Sequence, residues 1–177
     1  MTKLKYLTTV LLATMLLGAL ASATTYRELT LDDMVAQTEI AFYGEVTSLT
    51  SSERDGDPWT DVSFQIEEAY LGIAEDVESL DLSFYGGTLD DGRSLSINLM
   101  PSFQVGDRVV VFAYQGELYS PVVGFRQGLW RERNLGLVDE TDRALSLDEE
   151  GELILDGPGA GLDDLLAALR ARIEAAQ

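Results

Sequence analysis

Carboxylates are the reactive groups this chain carries in number: 31 Asp and Glu, against 12 Lys and Arg and no His or Cys. That inventory removes much chemistry at once. Without His there is no Ser-His or Cys-His relay, no His-ligated zinc and no imidazole proton shuttle near neutral pH. Without Cys there is no thiolate nucleophile, no disulfide and no lipid-modified Cys. No glycine-rich loop ends in Lys-Ser or Lys-Thr, and no dinucleotide fingerprint occurs. Carboxylates alone leave two options: hydrolysis by an acid and base pair, or coordination of a hard cation such as calcium. With 31 of them, proximity of two is expected by chance. The chain therefore reads as non-enzymatic.

The cation option has three places to look. Asp55, Asp57 and Asp61 cluster around Gly56, and Asp90-Asp91-Gly92 and Asp148-Glu149-Glu150-Gly151 are acidic turns. None follows the EF-hand spacing, because Trp59 occupies the third ligand position counted from Asp55. They read as solvated turn tips, and no metal or cofactor is expected.

A binding surface is better supported. Gly124 to Arg133 holds Phe125, Arg126, Trp130, Arg131 and Arg133, so three of the chain's arginines sit beside two large aromatics. Arg and Trp are favoured at binding hot spots. The plainer reading puts Phe125, Leu129 and Trp130 in the core and pairs the arginines with the acidic surface. Trp59, placed in a polar loop, is the other candidate. The expected interaction surface is thus Trp59, Phe125, Arg126, Trp130 and Arg131.

Those residues must be held by a mainly β fold. Ile40 to Leu49 alternates: Ile40, Phe42, Gly44 and Val46 share one face, and Ala41, Tyr43, Glu45 and Thr47 the other. Val62, Phe64, Ile66 and Tyr70 alternate with Asp61, Ser63, Gln65 and Glu67. Period-two patterning predicts antiparallel strands with one buried and one wet face. Ser51 to Pro58 reads as the polar loop between them. Gly44 within the first strand predicts a bulge or a close backbone approach. Further strands are expected at Ser79–Phe84, Leu95–Leu99, Arg108–Tyr114 (central, both faces covered) and Leu118–Val123 (at an edge or carrying a bulge, given Pro121). One more follows within Gly124–Arg133, making six or seven strands in all. A hairpin from Ala144 to Leu155 precedes the Gly-rich break at Gly157–Gly161.

Two helices complete the reading. Thr30 caps a short one with Asp32 and Asp33 in its first turn. Leu162, Leu165, Leu166, Leu169 and Ile173 form the apolar stripe of a C-terminal helix that packs on the strands.

Lys3 and Lys5, the apolar run Tyr6–Leu20 and Ala21-Ser22-Ala23 predict a secretory signal peptide over residues 1–23, with Thr24 as the mature N-terminus. The run is short for a membrane span. The expected organisation is signal peptide 1–23, β-barrel domain 24–156, and Gly-rich break plus helix 157–177. The mature chain would keep ten arginines against 31 carboxylates, a formal charge of −21. Such a surface repels nucleic acid and anionic lipid. The expected partner is a protein or extracellular ligand, with no nucleic acid and no membrane span once the signal is removed. The expected location is periplasmic or secreted.

Phe42-Tyr43-Gly44-Glu45-Val46, then Val62-Ser63-Phe64-Gln65-Ile66 ending in Tyr70-Leu71-Gly72, then Val105-Gly106-Asp107 leading into a Val-rich strand, form a recognisable run. It resembles the netrin-module and tissue-inhibitor-of-metalloproteinase superfamily, and more closely exported bacterial proteins with the same pattern. The likeness covers about Leu31 to Val123. It implies a small OB-like antiparallel barrel with a binding role. In the metalloproteinase inhibitors an N-terminal Cys chelates the target's zinc. This chain departs from that pattern, with Thr24 at that position and no Cys for the family's disulfides.

Overall fold

The computed structural model describes residues 28–149, 153–157 and 160–176. The expected signal peptide, Thr24, Glu150 and Gly151 of one acidic turn, and residues 158–159 of the Gly-rich break lie outside the described residues.

The chain enters through helix α1 (Leu31–Gln37), where the Thr30 side chain accepts from the Asp33 N–H at 3.0 Å and Thr38 closes the far end. Ten strands follow. β1 (Ile40–Arg54), β2 (Asp57–Leu71), β3 (Ser79–Tyr85), β6 (Arg108–Ala113), β7 (Leu129–Arg133) and β8 (Gly136–Val138) form one antiparallel sheet in the order β3-β2-β1-β6-β7-β8. β4 (Gly87–Thr88) pairs with β5 (Ser94–Leu95), and β9 (Leu145–Leu147) with β10 (Leu153–Leu155). Helix α2 (Leu162–Ala175) ends the fold.

β1 and β2 are far longer than their alternation suggests. The expected loop at Ser51–Pro58 is instead strand on both sides of a two-residue turn, Asp55-Gly56, with φ of 51° and 94°. Two positive φ values make the turn whose twist matches the strands it joins, and Asp-Gly adopts it cheaply. Three register irregularities bend the β1–β2 ribbon, one of them between Tyr43 and Gly44. A Cβ on Gly44 would lie 2.4 Å from the carbonyl oxygen of Gln65. The bulge and the close backbone approach are therefore one feature.

The expectation of one wet face fails for the first half of β1. Ile40, Phe42 and Val46 enter one apolar cluster with Val62, Phe64, Leu82, Phe84, Val109 and Val111. Ala41 and Tyr43 enter a second, with Val110, Phe112, Trp130 and Leu137. α1 supplies Met34 and Val35 to this second cluster, and α2 supplies Leu165, Leu166, Leu169 and Ile173. Both helices are thus consumed in covering the other side of β1 and β6. β6 is buried on both faces, as its unbroken apolar run requires.

Two further expectations are corrected. The strand at Leu95–Leu99 stops at Leu95, and Leu99 turns the chain with φ 67°. Leu118–Val123 is irregular around Pro121. It keeps a single bridge, Ala113 to Val122, and hydrogen bonds from Tyr114 N to Pro121 O and from Val123 N to Phe112 O. The same segment reaches the opposite edge of the sheet, where the N–H of Tyr85 donates to Tyr119 O at 2.8 Å. Ladder pairing does not otherwise join β3 to that segment among the described residues. Of Gly124–Arg133, the first half is turn and only Leu129–Arg133 is strand.

Candidate functional site

The five candidate residues do not form one surface. Trp59 is not in a loop: it lies on β2, opposite Tyr85 of β3. Its ring meets Tyr85 edge-on at 5.2 Å between centroids and stacks at 6.0 Å on Tyr119, and Tyr85 and Tyr119 are 4.6 Å apart. The Arg54 guanidinium lies 5.4 Å from the Trp59 centroid. That guanidinium donates to both oxygens of Asp61, at 2.5 and 2.7 Å, and to Ser83 Oγ at 3.1 Å. Ser83 Oγ in turn donates to Asp61 at 2.5 Å. Tyr85 donates its phenol proton to Asp57 at 2.8 Å, and this bond holds its pKa above the usual tyrosine value.

Trp130 and Arg131 are neighbours in sequence and separated by the sheet, as the alternation of a strand demands. Trp130, 5% exposed, lies beneath α1 and β9 and meets Phe112 edge-on at 5.3 Å. It also lines a cavity of about 470 Å³ shared with Leu29, Met34 and Leu145. Arg131 points the other way. It donates to Asp107 at 2.6 Å, to Glu140 at 3.0 Å and to the carbonyl of Ser102, and its guanidinium lies 5.6 Å from the centroid of Phe103. Burial raises the Glu140 pKa, against the opposing pull of Arg131. Arg131 is a largely covered structural cation, paired with two carboxylates.

Phe125 and Arg126 lie on the turn before β7. Phe125 is 50% exposed at φ 64°, so it is not part of the core, whereas Leu129 and Trp130 are. Ser120 Oγ donates to the Phe125 carbonyl at 3.0 Å, which ties this turn to the segment carrying Leu118 and Tyr119. Those two side chains are 42% and 65% exposed. Arg126 is half-buried, and its charge lowers the Glu140 pKa.

The structure therefore assembles an aromatic patch of Trp59, Tyr85 and Tyr119, with Leu118 exposed next to Tyr119 and Phe125 exposed on the turn tied to that segment. Only Trp59 and Phe125 of these are legible as candidates in the sequence. Tyr85 and Tyr119 come from elements 26 and 60 residues further on, and only the β2–β3 register and the Tyr85–Tyr119 backbone bond bring them in.

Several carboxylates of the acidic turns have other engagements. Asp61 is held by Arg54, Asp57 by Tyr85, and Asp91 by the backbone and side chain of Arg93, which lower its pKa. No group of three or more His, Cys, Asp or Glu residues among those described could hold a metal ion. No helix among the described residues is long and apolar enough to cross a membrane. A second ionic network lies on the α2 side: Tyr43 donates to Glu132 at 2.6 Å, while Arg108 joins Glu132 to Glu67 and lies 5.1 Å from the Tyr43 ring centroid. Burial, then that bond to Glu132, raises the Tyr43 pKa.

No family model matches the chain, and no curated protein or solved structure matches it.

Proposed function

We propose that this is an exported, non-catalytic binding module built on an OB-like barrel, working in the periplasm or outside the cell. The observation that carries the reading is the aromatic patch. Three rings from three separate elements meet at the surface, the Tyr119 side chain is left largely exposed, and Leu118 is exposed next to it. Aromatic side chains of this kind are costly to leave in water and are favoured at the centres of interfaces. Three little-exposed carboxylates, Asp107, Asp139 and Glu140, are each engaged by an arginine, which supports binding over hydrolysis.

The barrel reading rests on the segment after β6. It touches β6 through the Ala113–Val122 bridge and β3 through the single Tyr85–Tyr119 bond, which supports a sheet that curls toward its own edge without closing by ladder pairing. OB folds bind through the face of their second and third strands and the loops beside it, which is where Trp59 and Tyr85 stand. The resemblance to the netrin and metalloproteinase-inhibitor superfamily points the same way.

Pull-down from native cell envelope and growth medium, with the wild-type chain and Tyr119→Ala as parallel baits, tests the proposal. A partner retained by the wild type and lost by Tyr119→Ala supports it; equal recovery by both rejects the patch. A second reading is protease inhibition by the exposed loop Glu117-Leu118-Tyr119, which is fastened at both ends. Gln115 N donates to Glu39 at 2.7 Å on one side, and Tyr119 O accepts from Tyr85 on the other. A protease panel separates the two.

A further inference from the structure

We infer that the open edge of β3 takes up an extended, positively charged peptide as an added strand. The inference rests on the binding role proposed above and names the class of partner.

The edge is a matter of parity. Ile66 N donates to Glu78 O, and Gly86 N donates to Pro58 O, so the even-numbered residues around β3 face β2. The odd-numbered ones face away, and the N–H of Tyr85 accordingly reaches outward to Tyr119 O. The main-chain groups of Asp81 and Ser83 point the same way, and no backbone partner meets them among the described residues. Beyond them the chain does not close. It leaves a slot of about 360 Å³ between Leu80–Ser83 on one side and Gln115–Leu118 on the other, with Trp59 at its wall. An unpaired edge beside a slot is a template for another strand.

Charge selects the occupant. Asp55, Asp81 and Glu117 line the slot, and none makes an ion pair among the described residues. The only cation lining it, Arg54, is committed to both oxygens of Asp61. A basic segment meets three uncommitted carboxylates there. A second copy of this chain brings its own excess of negative charge and is repelled. Side chains of an added strand alternate, so basic residues on the face of Asp81 leave apolar ones for the opposite face, where Leu80 and Leu82 line the slot.

The test pans a phage-displayed library of random dodecapeptides over the immobilised full chain. Enriched sequences are then made synthetically and measured by calorimetry. The expected result is enrichment of peptides with net positive charge and alternating apolar residues. Their affinity should fall about tenfold in Asp81→Pro, which removes one outward N–H at an edge that tolerates Pro. The triple change Asp55→Asn, Asp81→Asn, Glu117→Gln should weaken them similarly and flatten their salt dependence. N-methylating alternate peptide residues supplies a control that leaves the protein untouched: methylation of one set abolishes binding, and methylation of the other does not. Enrichment of neutral or acidic peptides overturns the inference, as does equal tolerance of both methylation patterns. So does a dimer in sedimentation velocity that Asp81→Pro dissolves. Peptides that ignore Asp81→Pro but are lost by Tyr119→Ala overturn strand addition and leave the binding role standing. No enrichment at all overturns strand addition, and the pull-down with wild type and Tyr119→Ala then decides the binding role by itself.

Discussion

Trp130 and Trp59 lie on strands of the same sheet, two places from its centre on either side, and meet different surroundings. Trp130 faces the side roofed by α1, α2 and β9, and almost none of it reaches water. Trp59 faces a side that nothing roofs at its end of β2, and its neighbours are two tyrosines, an arginine and solvent. The residue type is the same in both places. What differs is whether an amphipathic helix is available to cover the face. Both helices go to the half of the sheet where Ala41, Tyr43, Val110 and Trp130 line up, and the tip of the β1–β2 hairpin is left bare.

The sharpest way to break this contrast is truncation. Trp130→Ala is expected to cost about 3–5 kcal/mol, as for other buried aromatics. Trp59→Ala should cost about 1 kcal/mol, the scale of an aromatic contact pair at a partly wet site. Urea denaturation of the two variants measures both, and equal losses would erase the distinction. The bend that carries the hairpin tip away from the helices comes next. Gly44→Ala puts a methyl against the Gln65 carbonyl and should cost about 1–3 kcal/mol, read as a lower melting temperature and shifted β1–β2 amide resonances.

Proton titration sharpens the contrast from the charged groups at each place. Asp139 lines the Trp130 cavity. Burial alone would raise its pKa, but bonds from Arg143 and Thr141 overcome it, and the folded-state value lies below the ordinary one. Its contribution is therefore present above the unfolded pKa of about 4 and lost as pH falls through the lower folded value. Asp139→Asn should flatten the acid limb of a stability-versus-pH curve. Tyr85, beside Trp59, has the opposite sign. Its raised pKa gives a contribution that is complete below about pH 10 and lost as pH rises through the folded value. Tyr85→Phe should therefore lower the curve evenly below about pH 10 and flatten its alkaline limb. The smallest effect is optical: in Trp130→Phe the remaining emission, from Trp59, should be quenched readily by acrylamide, and in Trp59→Phe it should be shielded.

Strand positions were legible wherever one face alone decides the pattern, as in Val62–Ile66 and Leu80–Phe84, and both helices were legible from caps and stripe. The hairpin tip was hidden because a wet two-stranded ribbon carries polar residues on both faces and so looks like a loop. The second covered face of β1 was hidden because Ala41 and Tyr43 declare no side until a helix arrives from more than a hundred residues away. For the same reason Phe125, Trp130 and Arg131 looked like one cluster. Adjacency in sequence brought them together; alternation along β7 sends Trp130 and Arg131 apart, and Phe125 lies on the turn before that strand. The patch at Trp59 needed two long-range pairings that no local signal encodes.

β1 and β6 have apolar residues belonging alternately to one side and the other: Phe42 then Tyr43, Val109 then Val110, Val111 then Phe112. They form a party wall. Neither compartment can be dismantled while the other stands, because each borrows its lining from the same two strands. Stripping away the C-terminal helix would therefore be felt at Phe64, on the far side of that wall, and melting should run as one event with no half-built survivor.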